Sequence, residues 1–114
     1  MISSLQMRMS INFLLQATRV LHVGNYEEEE LEMIYNFIVS VDNEILNHYN
    51  ITSSIIVYSS DLELFLEIVD RLIEIYEDTE EYEKCDELKS KKEQAINILF
   101  AQLSSLWRIR PKMF

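Results

Sequence analysis

Acidic side chains recur at helical spacing in the middle of the chain. Glu63, Glu67, Asp70 and Glu74 follow one another at steps of three or four residues, and Asp78 continues the series. Residues at this spacing share one face of a helix. Carboxylates arranged in this way can either ligate a hard cation such as Mg²⁺ or form a solvated, charged surface.

The apolar residues of the same segment favour the solvated surface. They alternate at steps of four and three, which places eight of them on one helical seam: Ile51, Ile55, Tyr58, Leu62, Phe65, Val69, Leu72 and Tyr76. Glu67 and Asp70 fall outside this phase, whereas a metal site inside a helical bundle needs inward-pointing ligands. Residues 51–60 are rich in β-branched residues and serine, so a short strand there is the alternative to a helix.

A second pair of acids supplies an enzymatic alternative. Glu29 and Glu32 lie one turn apart and precede Glu67 and Asp70, which gives an ExxE pattern followed by ExxD. This pattern resembles the magnesium site of the all-α nucleotide pyrophosphatases of the MazG kind. The resemblance implies that the four carboxylates hold Mg²⁺ and that a nucleoside triphosphate is the substrate.

Charge is distributed unevenly along the chain, whose formal net charge is −10. Residues 27–50 contain seven acids and no base, whereas residues 88–114 contain six bases and one acid. Most of the surface would repel phosphates, so direct binding of nucleic acid is not expected. The apolar runs are too short to span a membrane, and the single Cys85 and the absence of a signal peptide predict a cytoplasmic protein.

Hydrophobic spacing predicts an all-α fold, a small antiparallel bundle of about four helices. The predicted helices cover about residues 3–22, the stretch from the acid run at residue 27 through Ile45, residues 51–76, and the stretch from an N-cap at Thr79 to about residue 110. Residues 1–110 are predicted to form one domain, and residues 111–114 a tail, because Pro111 cannot continue a helix. The predicted buried face of the fourth helix comprises Tyr82, Cys85, Leu88, Ala95, Leu99, Leu103 and Leu106.

The junction of the third and fourth helices resembles the UVR motif, a helical hairpin of the UvrB and UvrC type. Residues 75–92 read IYEDTEEYEKCDELKSKK, and the matching positions are Glu81, Tyr82, Glu83, Cys85, Leu88 and Lys89. The resemblance implies a hairpin that binds another protein or pairs with a similar hairpin. A capped helical hairpin without such a role is the alternative.

The C-terminal segment LWRIRPKMF has the composition of a binding segment. It combines aromatic, basic and methionine side chains at Trp107, Arg108, Arg110, Met113 and Phe114, types that are enriched at protein interfaces. Alternatively, Trp107 finishes the core and the bases balance the negative end of the last helix dipole.

These patterns predict a small, acidic, non-enzymatic protein that binds another protein and regulates it. No catalytic residue, metal ligand or cofactor is predicted, because the sequence holds no glycine-rich phosphate loop and no recognisable nucleophile motif. The predicted contact residues are the C-terminal ones above together with Glu63, Glu67, Asp70 and Glu74. An acidic inhibitor that imitates nucleic acid, as bacteriophages make, is the second alternative, with a basic nucleic-acid-binding protein as partner. A homodimer is also left open.

Overall fold

The computed structural model describes residues 3–49 and 61–109, and these residues form five helices. They are α1 (Ser4–Val23), α2 (Glu28–Ser40), α3 (Asn43–His48), α4 (Asp61–Asp78) and α5 (Tyr82–Ile109). The described residues contain no strand, so the all-α prediction is confirmed. None of the five helices is long and apolar enough to cross a membrane. Residues 51–60, with the seam positions Ile51, Ile55 and Tyr58, lie outside the described residues.

Local sequence signals set both ends of α1. The Ser3 hydroxyl accepts a hydrogen bond from the Gln6 backbone N–H at 3.1 Å, and the Gln6 side chain accepts one from the Ser3 N–H at 2.9 Å. This reciprocal pair is a capping box, which satisfies two N–H groups that the helix leaves unpaired. Gly24 ends the helix with φ of 76°, a left-handed conformation that glycine adopts without a Cβ penalty. The predicted first helix is confirmed within one residue.

The prediction of one continuous helix through Val41 and Ile45 is wrong. α2 ends at Ser40, and Val41 is extended, with φ of −71° and ψ of 118°. Asp42 starts α3, because its carboxylate accepts a hydrogen bond from the Ile45 N–H at 3.0 Å, and aspartate is among the preferred N-cap residues. The apolar spacing does not reveal this break, because Val41 remains buried on the core side.

Two side chains of α5 hold the backbone at this break. The Lys91 ammonium donates to the Val41 carbonyl over 2.6 Å, and the Gln102 amide donates to the Tyr49 carbonyl over 3.2 Å. Both carbonyls lie where a helix has just ended, so their intrahelical donors are missing. A cation at the end of α2 also meets the negative end of its dipole. α5 therefore fixes the relative placement of α2 and α3.

The turn between α4 and α5 is a helix end and not the N-cap predicted at Thr79. The Glu81 N–H donates to the Tyr76 carbonyl over 2.9 Å, and the Glu80 N–H donates to the Glu77 carbonyl over 3.1 Å. These two bonds form a Schellman motif, with Glu80 in the left-handed region at φ of 61°. The Thr79 hydroxyl donates to the Glu81 carboxylate over 2.9 Å, so Thr79 belongs to the end of α4.

Helix α4 contributes more buried side chains to the core than any other described helix. The predicted seam is confirmed over its described part, and Ile68 and Ile73 widen it into a stripe: Leu62, Phe65, Ile68, Val69, Leu72, Ile73 and Tyr76 are buried. The stripe packs between α1 and α5. Leu14 and Leu21 of α1 and Leu88 of α5 join the same core cluster. Each such burial stabilises the fold by roughly 1.5–3 kcal/mol relative to exposure.

The predicted buried face of α5 is confirmed at three positions and wrong at two, Leu99 is half-buried, and the side chain of Leu106 is not described. Cys85, Leu88 and Ala95 are buried, but Tyr82 is 61% exposed and Leu103 is 38% exposed. Tyr82 is the first residue of the helix. At the other end, α5 has 28 residues against 18 in α4, so it extends about 15 Å further at 1.5 Å per residue. The last turns therefore have no α4 beside them.

The core position of Phe65 gives a stability prediction. Phe65 is fully buried, so Phe65→Ala should lower the free energy of unfolding by about 3–5 kcal/mol. Glu67→Gln, two residues away on the exposed side, should change it by less than about 0.5 kcal/mol. Urea unfolding followed by circular dichroism measures both. Equal destabilisation by the two substitutions would contradict the helical phase of α4.

The Lys91 contact gives a second prediction. Lys91→Met keeps most of the aliphatic stem but removes the donor to the Val41 carbonyl, and it should cost about 1–3 kcal/mol. Lys89→Met, on the exposed side of the same helix, is the matched control and should have little effect. The same urea measurement checks this pair, and equal effects would show that Lys91 does not stabilise the break.

Candidate functional site

Four carboxylates of α4 form an exposed acidic face, defined here as Glu63, Glu67, Asp70 and Glu74. All four are exposed, and they lie on the side of α4 away from the buried stripe. The helix is strongly amphipathic, so burial of its apolar side leaves these charges in solvent. The structure thus brings the four predicted acidic residues together on one surface.

Two cations partly neutralise this acidic face. Arg71 Nη1 lies 3.0 Å from Glu74 Oε2, and Lys92 Nζ of α5 lies 2.7 Å from Asp70 Oδ1. The side chains of both pairs are 39–65% exposed, and exposed ion pairs stabilise a fold by only about 0–1 kcal/mol. Such pairs can exchange for contacts with a partner at small cost.

A groove between α1 and α4 borders the acidic face at Glu67. It encloses about 420 Å³ and is lined by Thr18, Leu21, His22, Glu67, Ile68 and Arg71. Its walls carry groups of both signs and two apolar side chains. A groove of this chemistry can receive a side chain that ends in a polar group, next to the carboxylates that would attract a cation.

At the other end of α4, an aromatic and ionic cluster joins the α4–α5 turn to α2. Lys84 Nζ lies 4.7 Å from the Tyr76 ring centroid and 5.3 Å from that of Tyr35, within the range of cation–π attraction. The two rings pack edge to face, with their centroids 5.5 Å apart. Lys84 also pairs with Glu81 at 3.2 Å, and the Tyr35 hydroxyl donates to Glu87 over 2.7 Å.

The cluster shifts the pKa values of its members. Burial, followed by the hydrogen bond to Glu87, raises the pKa of Tyr35. Burial, followed by the charges of Glu81 and Glu32, raises the pKa of Tyr76 to about 12. Both phenols are therefore neutral at physiological pH, and they can donate hydrogen bonds but cannot act as bases.

The single cysteine is a core residue. Cys85 is 1% exposed, and its thiol donates to the Ile73 carbonyl over 3.8 Å. Burial and the nearby charge of Glu77 raise the pKa of the Cys85 thiol. A buried thiol with a raised pKa is a poor nucleophile, because the thiolate is the reactive form.

The residues of the pyrophosphatase alternative line different cavities. Glu32 lines a cavity of about 340 Å³ with Tyr26 and Tyr76, whereas Glu67 lines the groove beside His22. Among residues 3–49 and 61–109, no three His, Cys, Asp or Glu side chains lie close enough to share a metal ion. The described geometry does not assemble the magnesium site that the resemblance implies.

The C-terminal contact residues lie at the limit of the described chain. The backbone of α5 continues through Trp107 and Arg108 to Ile109, but the side chains of residues 105–109 are not described. Arg110, Met113 and Phe114 lie outside the described residues altogether. The C-terminal binding segment therefore stays a prediction.

Sequence reasoning missed the contacts that depend on long cationic side chains and the exposed apolar residues. Lys84, Lys91 and Lys92 each reach another helix, and no spacing rule predicts which lysine of a helix does so. Leu5 and Met9, by contrast, lie four residues apart, and this spacing indicates a second apolar face on α1. Both are more than 60% exposed.

Comparison with known proteins found no match: no protein family, curated protein or solved structure is similar to this chain at a significant level.

The raised pKa of Tyr76 gives a prediction for alkaline stability. Between about pH 10, where an unfolded tyrosine ionises, and about pH 12, the unfolded chain releases this proton while the folded chain retains it. Stability should therefore fall as pH rises through this window. Tyr76→Phe should make the fall shallower by up to about 1.4 kcal/mol per pH unit. Urea unfolding between about pH 9 and pH 12 measures this dependence of the free energy of unfolding on pH. Tyr82→Phe, at an exposed position, is the control and should leave that dependence unchanged.

Proposed function

We propose that this chain is a non-enzymatic protein-binding module whose acidic face on α4 receives a basic surface of another protein. The observation that supports this most is the exposure of Glu63, Glu67, Asp70 and Glu74 on one side of a helix whose other side is fully used by the core. A rigid helix with a fixed row of charges gives both attraction and register. The partner is expected to present arginine or lysine side chains at matching spacing.

The existing ion pairs of the acidic face support this mode of binding. Glu74 already pairs with Arg71, and Asp70 already pairs with Lys92. The carboxylates of this face can therefore pair with either a guanidinium or an ammonium group. An incoming arginine can form two parallel hydrogen bonds to a carboxylate, which a lysine cannot. Exchange for arginines of the partner would therefore be favourable where the contact excludes water.

The groove beside Glu67 adds shape recognition to the proposed contact. Charge alone gives fast association but little affinity at physiological salt. Leu21 and Ile68 line the groove but are only 3% and 1% exposed, so the groove contributes mainly a concave shape for a long side chain whose cationic end reaches Glu67. We place the centre of the contact at Glu67 for this reason.

In a more specific form of the same proposal, the partner is a nucleic-acid-binding protein. The four carboxylates form a row along about three turns of α4, which is about 16 Å by helix geometry. A regular row of negative charges on a firm support can occupy a surface that otherwise binds phosphates. In this form the chain acts as an inhibitor, and nucleic acid competes with it for the partner.

Substitutions that replace a carboxylate by a neutral amide of the same shape test the proposal. Glu67→Gln/Glu74→Gln should weaken capture of the partner from a host lysate by ten-fold or more, about 1.4 kcal/mol. Glu83→Gln/Glu93→Gln removes the same charge from exposed positions on α5 and should leave capture unchanged. Affinity for the identified partner should fall steeply as salt rises.

Two further arms of this experiment separate the alternatives. Removal of residues 111–114 should weaken capture only if the C-terminal segment is a second contact. Added DNA or RNA should displace the chain only if the partner is a nucleic-acid-binding protein. Equal loss of binding in both glutamine pairs would show that net charge and not the acidic face is recognised. Release of pyrophosphate from nucleoside triphosphates with Mg²⁺, abolished by Glu32→Gln, would overturn the non-enzymatic proposal.

A further inference from the structure

Helix α1 carries a second apolar stripe, which the core covers only in part. Its core face is formed by Leu14, Ala17 and Leu21, yet Leu5 and Met9 are 63% and 62% exposed. Phe13 and Val20 continue the same stripe at helical spacing, and both are only half-buried. Solvent-exposed apolar side chains that continue along one face usually mark an interaction surface.

Helix α2 extends this stripe into a wider surface. The Phe13 and Phe37 rings lie with their centroids 4.2 Å apart, and Met33 beside them is 62% exposed. A shallow groove of about 120 Å³ runs between the two helices, and Ala17, Val20 and Met33 are among its lining residues. We define the α1–α2 apolar face as Leu5, Met9, Phe13, Val20, Met33 and Phe37.

The charge around this face differs from that of the rest of the chain. Residues 1–26 contain Arg8, Arg19 and no acid, so all 20 acids lie beyond them. Two copies that met through α4 would bring carboxylates against carboxylates, which is unfavourable. Two copies that met through α1 would avoid this repulsion, because α1 is the one described helix without an acid.

The two edges of the face carry opposite charges. Arg8 and Arg19 are exposed and lie about three turns apart, so they share one edge of α1. Glu29 is exposed in the first turn of α2, on the other side of the face. Its neighbour Glu30 lines the groove within the face together with Val20, so Glu29 lies at about the same height along α1 as Arg19.

We propose that the α1–α2 apolar face is where two copies of this chain pair, about a two-fold axis parallel to α1. Such an axis exchanges the two edges of the face but keeps each residue at the same height along the axis. Arg19 of one copy therefore lies over Glu29 of the other. The contact is self-complementary, as a two-fold interface requires. The apolar residues are buried at its centre and the ion pairs lie at its rim. This surface is separate from the acidic face on α4, so each copy keeps that face available.

The mass of the full chain in solution tests the pairing. Light scattering should give twice the 13.6 kDa of one chain, and Met9→Glu/Met33→Glu should lower it to that of one chain with an unchanged circular dichroism spectrum. Phe100→Glu, on α5, places the same charge at a position of matched exposure, 61%, and should leave the dimer intact. A single-chain mass for the natural sequence at every concentration, or a dimer that survives the methionine substitutions, would overturn the proposal. Equal dissociation by Phe100→Glu would do so too.

Charge exchange tests the orientation. Arg19→Glu and Glu29→Arg should each raise the dissociation constant several-fold, because each puts like charges together at the rim. The double variant should restore the dissociation constant to within about two-fold of the natural chain, because the rim pair is re-formed with opposite polarity. Additive loss in the double variant would overturn the two-fold arrangement.

Discussion

Burial of one side of α4 is the constraint on which the rest of the structure depends. Seven side chains of this helix are buried, and α1 and α5 pack against it from either side. A helix in this position has only one side left for solvent, and the chain places its carboxylates there. The acidic face is thus a consequence of the same phase that builds the core. Its charges are held by the most firmly packed helix that the structure describes, which favours a defined contact over diffuse attraction.

The breaks in the helical pattern are held by polar groups from α5 and from the turns. Lys91 donates to the carbonyl that α2 leaves at Val41, and Gln102 does the same at Tyr49. Buried carbonyl groups without donors would cost about 1–3 kcal/mol each. In the tight α4–α5 turn, backbone N–H groups of the turn itself supply the donors to the last carbonyl groups of α4. This requires Glu80 to adopt a left-handed backbone conformation. α5 is therefore both the partner of α4 and the element that fixes α2 and α3.

The fold class and the α4 phase could be predicted from the sequence because both depend on periodicity, which a single chain displays. Leu62, Phe65 and Val69 repeat where a helix needs them, and Ser3 and Gly24 mark helix ends by their backbone chemistry. The sequence did not predict the break at Val41, because the apolar spacing continues across it. The N-cap role of Asp42 rests on a single hydrogen bond, which the spacing does not reveal. Leu103 was misplaced because burial at the C-terminal end of α5 depends on the length of α4. Spacing alone does not report how far a neighbouring helix extends.

For the candidate site too, the sequence predicts what depends on one helix and does not predict what depends on packing between helices. The grouping of Glu63, Glu67, Asp70 and Glu74 is a property of one helix, so the sequence predicted it. Their neighbours come from other helices: His22 reaches the groove from α1, and Lys92 reaches Asp70 from α5. These tertiary neighbours decide what the site can bind, because they set which carboxylates are already paired and where a groove is available. In the contact proposed above, a basic partner would compete with Lys92 at Asp70 but would meet the groove at Glu67, so Glu67 is the position where charge and shape coincide.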